Sequence, residues 1–212
     1  MRNWLLIFFF GFPAFGVTSV NEFPEAYYQG ILRESPSEEA QIIYFKKWHE
    51  TADQWVQTHP KDKVAQFWRF AFLGELAKLK KNLWALGALR DMKAGLTALY
   101  RNDPHYGYGA SCRLLGKIYQ HAPRWVSIGS MSGAKDCFQK TLKDYPKFPG
   151  NQLAWLLWLI EDEDFAAAGQ YLSQVEQSVA TWSKDWGDFS REKALWEKDL
   201  FKAKKLIRGA GS

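Results

Sequence analysis

The sequence predicts an all-α protein built from helical hairpins. No stretch has the β-branched alternation of a strand, and apolar residues recur at intervals of three and four, which is the helical period. Pro60, Pro104 and Pro146 each close a helical pattern, because proline cannot continue a helix. The intervals between them, 44 and 42 residues, are typical of helix-hairpin repeats.

The composition fits one compact domain or one short solenoid of 212 residues. A chain of this length can bury enough surface to form a core without a disulfide or a metal. It holds 11 tryptophans, which predict thick helix–helix seams or an aromatic groove, because an indole is rarely buried completely. The net charge of +5 mildly favours acidic partners. The basic residues are interspersed with 23 acidic ones, which argues against nucleic acid as a partner.

Residues 1–16 have the pattern of a secretory signal peptide. Arg2 precedes an apolar run over 4–10, and the small residues Ala14 and Gly16 stand where a signal peptidase cleaves. We expect cleavage near Gly16 and a periplasmic or secreted mature chain with no cysteine for lipid attachment. The alternative is an uncleaved N-terminal anchor, which would be the one membrane contact of the chain.

Residues 17–60 are predicted to form an N-terminal helical segment. A short helix is expected over 23–33, followed by a longer one over 36–58. The longer helix is predicted to begin at a capping box, residues 35–38, with Pro36 at the first helical position.

Helical repeats are expected over 61–178, followed by a capping segment over 179–208 and a disordered tail over 209–212. The helices of these parts are predicted at 62–79, 83–101, 107–120, 132–144, 150–161, 164–178 and 189–208. They make about three to four hairpins and one C-terminal capping helix. The loop before the last helix carries Trp182 and Trp186.

Two central hairpins share a pattern of small and large residues that lets helices approach closely. The first hairpin has Cys112, Leu115, Gly116 and Tyr119 on one helix and Ala134, Phe138 and Thr141 on the other. The next has Gln152, Trp155, Leu156 and Leu159, then Ala168, Leu172 and Val175. The interval from Ala134 to Ala168 is 34 residues, as is that from Phe138 to Leu172.

These residues resemble the tetratricopeptide repeat superfamily, which has this period. Within it, the chain resembles bacterial periplasmic proteins akin to the T component of tripartite ATP-independent periplasmic transporters. The segments that carry this resemblance are 103–109, 113–119, 127–129, the region of Asn151, and 184–186. The resemblance implies a tetratricopeptide-like α-solenoid whose first helices line a concave binding face. It also implies a role beside a transporter.

On that concave face, the helix at 107–120 is expected to present Ala110, Arg113, Lys117 and Gln120. The two cations suit a carboxylate or another anion. Tyr108 and Trp125 are predicted to add aromatic contact area, Trp125 from a long loop that could cap a groove. The alternative for that loop is folding on its own hydrophobic residues.

Two further candidates have competing structural interpretations. His105 lies in a polar and aromatic cluster that could bind a ligand, although a helix stop with packed tyrosines is the favoured interpretation. The helix at 150–161 is apolar on all sides, so its concave positions, Gly150, Leu153, Leu157 and Ile160, are covered by the C-terminal helix or by an apolar ligand. Trp68 poses the same choice between core and ligand site.

No catalytic or metal-binding pattern is visible. The four histidines have no metal-ligand spacing, and we expect no cofactor. The acidic run at 161–164 is interpreted as a solvated turn with Asp164 at a helix N-terminus. Cys112 and Cys137 fall on the two helices of one hairpin, where a disulfide is feasible, but two buried thiols are the favoured interpretation.

The sequence therefore predicts a non-enzymatic binding protein of the bacterial cell envelope. The first hypothesis is a scaffold that holds an envelope protein or peptide segment through Arg113 and Lys117. The alternative is a periplasmic protein that binds a small apolar or anionic molecule or a lipid, in association with the transporter type named above. An open groove favours the first hypothesis, and an enclosed pocket lined by tryptophan and leucine favours the second.

Overall fold

The structure is a computed structural model that describes residues 17–33, 37–123, 128–182 and 190–210, and this part of the chain is helical without strands. The all-α prediction is confirmed. The helices are α1 Glu22–Leu32, α2 Glu38–Thr58, α3 Lys63–Lys80, α4 Leu83–Asn102, α5 Ala110–His121, α6 Met131–Asp144, α7 Pro149–Glu161, α8 Phe165–Ala180 and α9 Ser190–Ala210. The predicted signal peptide at 1–16, Trp125 and Trp186 lie outside the described residues.

Side-chain caps explain why five of these helices begin where they do. Each capping oxygen accepts a hydrogen bond from a backbone N–H of the first turn, and the capping residues are Ser37, Asp62, Asn82, Ser130 and Asp164. Such a cap stabilises a helix by about 1 kcal/mol. The cap of α2 is Ser37 and the helix begins at Glu38, whereas Pro36, the predicted first helical residue, lies outside the described residues. Asp164 caps α8, as predicted for this acidic turn.

Helices that are adjacent in the sequence pack against each other as antiparallel neighbours, because short loops connect them. The odd-numbered helices therefore run in one direction and the even-numbered helices in the other. His121 and Glu161 are the last residues of α5 and α7, and His121 Nδ1 lies 3.6 Å from Glu161 Oε1. These two helices therefore end side by side, as this arrangement requires. We call the end where the odd-numbered helices finish the lower end, and the opposite one the upper end.

The 34-residue spacing corresponds to equivalent buried positions in two consecutive hairpins. Ala134 and Ala168 are both fully buried, and Thr141 and Val175 are 2% and 0% exposed. Gly116 lies directly against the ring of Phe138, and a Cβ at position 116 would come within 2.5 Å of that ring. Close approach of α5 and α6 therefore depends on the absence of a side chain here.

A disulfide joins Cys112 of α5 to Cys137 of α6, with the two Cα atoms 5.2 Å apart. The favoured prediction of two free thiols is therefore wrong. Both cysteines occupy inward positions of the same hairpin, so the packing that buries them also brings the two sulfur atoms together. The sequence alone indicated that they were neighbours but did not decide between thiols and a bond.

The C-terminal helix is longer than predicted, because α9 continues through Gly209 and Ala210. Residues 203–208 are good helix formers, apart from Ile207, whose helix propensity is intermediate. Ile207 packs against the hydrophobic cluster formed by α6 to α9. This anchored turn explains the extension. None of the described helices is long and apolar enough to cross a membrane.

Replacing Gly116 by leucine should destabilise the protein by about 2–3 kcal/mol through overpacking against Phe138. The matched control is Gly87→Leu, because Gly87 lies within α4 and a Cβ there meets nothing within 4 Å. The control should leave stability unchanged or raise it slightly, since glycine is a poor helix former. Thermal unfolding followed by circular dichroism tests this, and equal midpoints for the two variants would contradict the close approach.

Reduction of the disulfide should lower the free energy of unfolding by about 3 kcal/mol, the value expected for a loop closed over 25 residues. Urea unfolding with and without a reductant measures this loss. The double variant Cys112→Ala with Cys137→Ala serves as the control, because its midpoint should not respond to the reductant. A wild-type midpoint that also ignores the reductant would argue against the bond.

Candidate ligand-binding cavity

A cavity of about 160 Å³ lies between the five odd-numbered helices. Its walls combine apolar and aromatic side chains with four charged ones. The charged residues are Arg113 and Lys117 on α5 and Glu192 and Asp199 on α9. The aromatic residues are Tyr27, Tyr28, Phe67, Trp68, Tyr106 and Trp196.

Contact between the first and last helices closes this cavity. The guanidinium of Arg191 in α9 forms an ion pair with the carboxylate of Glu25 in α1. The hydroxyl of Tyr28 donates a hydrogen bond to the carboxylate of Glu192. Leu195 adds apolar packing from α9 against the cluster that contains α1 and α3. α1 and α9 therefore close one side of the cavity between the odd-numbered helices.

Arg113 is fixed in the cavity wall by neighbours on three elements. Its Nη1 donates hydrogen bonds to Asn151 Oδ1 at 2.8 Å and to the carbonyl oxygen of Tyr108 at 3.3 Å. Its guanidinium carbon lies 5.2 Å from the centre of the Phe148 ring. Burial lowers the pKa of Arg113, and the carboxylate of Glu192 opposes that shift. The guanidinium therefore stays charged in a defined orientation.

Lys117 has no such support. It lies one helical turn after Arg113 and lines the cavity, and its side chain is exposed rather than packed. Among the described residues its ammonium has no hydrogen bond and no ion pair, although Asp199 and Glu75 act on it through space. Burial lowers the pKa of Lys117, and the positive charge of Lys78 lowers it further. The cavity therefore contains a cation that the surrounding walls shield in part, that still reaches solvent, and that has no partner among the described residues.

The opposite wall supplies acceptors and fixed donors. Glu192 and Asp199 stand seven residues apart on α9, so both carboxylates occupy the same helix face. The hydroxyl of Tyr27 donates to Glu75 Oε1 at 2.9 Å. Burial raises the pKa of Tyr27 and of Tyr28 well above the usual range, and the neighbouring carboxylates raise them further. Both phenols therefore remain protonated donors at physiological pH.

Trp68 is the centre of the aromatic wall. It is 8% exposed, and its ring centre lies 5.1 Å from that of Tyr27 and 5.8 Å from that of Tyr28. Phe67 packs edge-on against it at 5.3 Å. This contact geometry makes a rigid apolar surface beside the charged groups.

The structure brings together three of the residues that the sequence singled out, namely Trp68, Arg113 and Lys117. The inward positions predicted for α5 and α7 agree with this, since Ala110, Gly150, Leu153 and Leu157 also line the cavity. Two predicted neighbours, Gln120 and Ile160, do not line it, because they lie near the ends of their helices.

Tyr108 and His105 lie outside the cavity. The ring of Tyr108 stacks on Phe148 at 4.7 Å, so Tyr108 supports the wall and orients Arg113 through its carbonyl oxygen. His105 is exposed, with Nδ1 2.6 Å from the hydroxyl of Tyr145, which agrees with the helix-stop interpretation. Neither side chain can contact a molecule held between Arg113 and Trp68.

Sequence reasoning missed the contributions of α1 and α9. Glu192 and Asp199 were not among the predicted site residues, although their spacing of seven places them on one face of α9. Tyr27, Tyr28 and Tyr106 carry no motif. Their role depends on which distant helix they meet, and no local pattern encodes that.

No protein-family model matches the chain, and no curated protein is significantly similar to it.

Replacing Lys117 by methionine should stabilise the protein near pH 7 and less so at higher pH. The folded-state pKa of Lys117 lies below its usual value of 10.5. Between the two values the unfolded chain binds the extra proton, so the cost of burying the charge is present at lower pH and disappears as pH rises. Urea unfolding at about pH 7 and about pH 10 measures the difference between the two proteins.

The control for this comparison is Lys143→Met, at an exposed lysine near the end of α6. It should change stability by a similar small amount at both pH values. A stability difference for Lys117→Met that is independent of pH would contradict the assignment of Lys117 as a desolvated cation.

Proposed function

We propose that the protein is a non-enzymatic binding protein that holds a small organic anion in the cavity between its odd-numbered helices. The observation that carries this proposal is the convergence of two cations, Arg113 and Lys117, on one wall of the cavity. The ammonium of Lys117 is accessible and has no hydrogen bond or ion pair with any described residue. An anionic group between Lys117 and Arg113 supplies the partner that this ammonium lacks.

The proposed architecture is a tetratricopeptide-like solenoid with α9 as its C-terminal capping helix. Its support is the 34-residue register of buried positions, with Ala134 and Ala168 fully buried in consecutive hairpins. The close approach of Gly116 and Phe138 is the packing that such a register requires. In this arrangement α1 and α9 occupy the concave side, which in an open solenoid would receive a peptide.

The enclosed cavity supports a small ligand better than the protein segment that the sequence favoured. A volume of about 160 Å³ is below the usual 300–1,000 Å³ of pockets for drug-sized molecules. It is close to that of a cavity that accommodates one benzene ring, about 150 Å³. A peptide at Arg113 and Lys117 would require α1 or α9 to leave its position.

The chemistry of the walls defines the ligand class. A carboxylate or phosphate suits Arg113 and Lys117, and an aromatic or short aliphatic body suits Trp68 and its neighbours. The carboxylates of Glu192 and Asp199 accept from a hydroxyl or ammonium group at the far side of the ligand. A small amphiphilic anion satisfies all three walls together.

Export is the cellular setting that fits this proposal. A disulfide persists in an oxidising compartment, which supports a periplasmic or secreted location. Association with a transporter, implied by the sequence resemblance, stays a prediction. A periplasmic binding role for a small anion is compatible with it.

Benzoate is a suitable probe, since it joins one aromatic ring to one carboxylate, and benzyl alcohol is its neutral counterpart. Isothermal titration of the full chain should give at least about tenfold tighter binding of benzoate, because a charge-assisted contact contributes about 1.5–3 kcal/mol. Lys117→Met should remove most of this preference, whereas Lys143→Met should retain it. Equal affinity of the wild type for both probes would overturn the proposed anion site.

A further inference from the structure

Exposed apolar side chains are concentrated at the lower end of the molecule. Among the described residues, the large exposed ones are Leu32, Ile43, Leu83, Trp84, Phe201 and Leu206. They lie at the end of α1, in the second turn of α2, in the first turn of α4, or in the second half of α9. The described part of the upper end has none. Leu83 and Trp84 are adjacent in the chain, whereas single exposed apolar residues are common on protein surfaces.

The connection between α3 and α4 carries two of these side chains next to each other. We call residues 78–84 the α3–α4 tip. Leu83 is 83% exposed and Trp84 is 43% exposed, and both follow a turn of only two residues. The tip therefore presents an aliphatic and an aromatic side chain together to solvent.

The charge around the α3–α4 tip has one sign. Lys78 and Lys81 are exposed, and the Nζ atom of Lys80 lies 4.2 Å from the centre of the Trp84 ring. From position 76 to position 90 the chain carries no acidic residue. Glu75, the nearest one before it, is paired with Lys78 and Tyr27. The tip is therefore apolar at its apex and basic around it.

We propose that the α3–α4 tip docks the protein on an anionic phospholipid surface. Leu83 and Trp84 enter the headgroup region, where indole rings are favoured, and the lysines contact the acidic headgroups. Each lysine near such a surface contributes about a fivefold increase in affinity. A protein partner fits less well, because a stable interface buries more than about 1,000 Å². The two exposed apolar side chains of the tip cannot supply that area.

This contact is distinct from the N-terminal anchor expected as the alternative for residues 1–16. It is also separate from the cavity in space, because Leu83 and Trp84 do not line it. The orientation is specific, since docking through the tip turns the lower end of the cavity-forming helices toward the lipid.

The first experiment places a polarity-sensitive fluorophore at the tip of the full chain through Leu83→Cys. The native cysteines are bonded to each other, so without reductant the new thiol reacts selectively. The matched control is Lys147→Cys, an exposed position in the loop between α6 and α7 at the upper end. Both proteins are titrated with vesicles of phosphatidylcholine alone and with added phosphatidylglycerol.

A blue shift is expected at position 83 with the phosphatidylglycerol vesicles and at neither position with phosphatidylcholine alone. No shift at position 83 with acidic vesicles, or an equal shift at both positions, overturns the proposal.

The second experiment tests the basic residues of the tip with two double variants that change the net charge by the same amount. Lys80→Glu with Lys81→Glu should weaken binding to the acidic vesicles by more than about tenfold. Lys143→Glu with Lys147→Glu changes the net charge equally but at the upper end, and should weaken binding much less. Vesicle sedimentation measures both, with circular dichroism to verify folding, and equal losses would overturn the proposal.

Discussion

The contact between α1 and α9 is the constraint on which the cavity depends. Without it, α9 would not form the wall that faces Arg113 and Lys117. The ion pair of Arg191 with Glu25 and the hydrogen bond of Tyr28 to Glu192 bring the first and last helices together. Leu195 adds apolar packing to these polar contacts, so charge and burial close the site together.

Closing the site has an energetic consequence that falls on the cations. Arg113 is compensated by Asn151, the carbonyl oxygen of Tyr108 and the face of Phe148. Lys117 has none of these contacts, and its pKa is lowered by burial and by the charge of Lys78. A cation in a cavity wall that stays accessible and has no partner among the described residues is more readily explained by binding than by structure.

The helices were predictable from sequence, whereas the cavity was only partly so. Local signals set the helix boundaries, since capping residues such as Asp62 and stops such as Pro104 act within a few residues. Helical periodicity also identified Arg113 and Lys117 as inward residues. The second wall depends on a contact across 164 residues, between Tyr28 and Glu192, and no periodicity within α9 distinguishes a carboxylate facing a cavity from one facing water.

The lower end joins the electrostatics of the cavity to those of the surface. Lys78 belongs to the α3–α4 tip, and its positive charge also lowers the pKa of Lys117. Burial lowers the pKa of His121, Glu161 opposes that shift, and Lys117, Lys78 and Lys202 add to it. An acidic surface beside Lys78 would screen the repulsion between Lys78 and Lys117. Docking at the tip and anion binding at Lys117 would therefore favour each other through charge, although the two proposed sites share no residue.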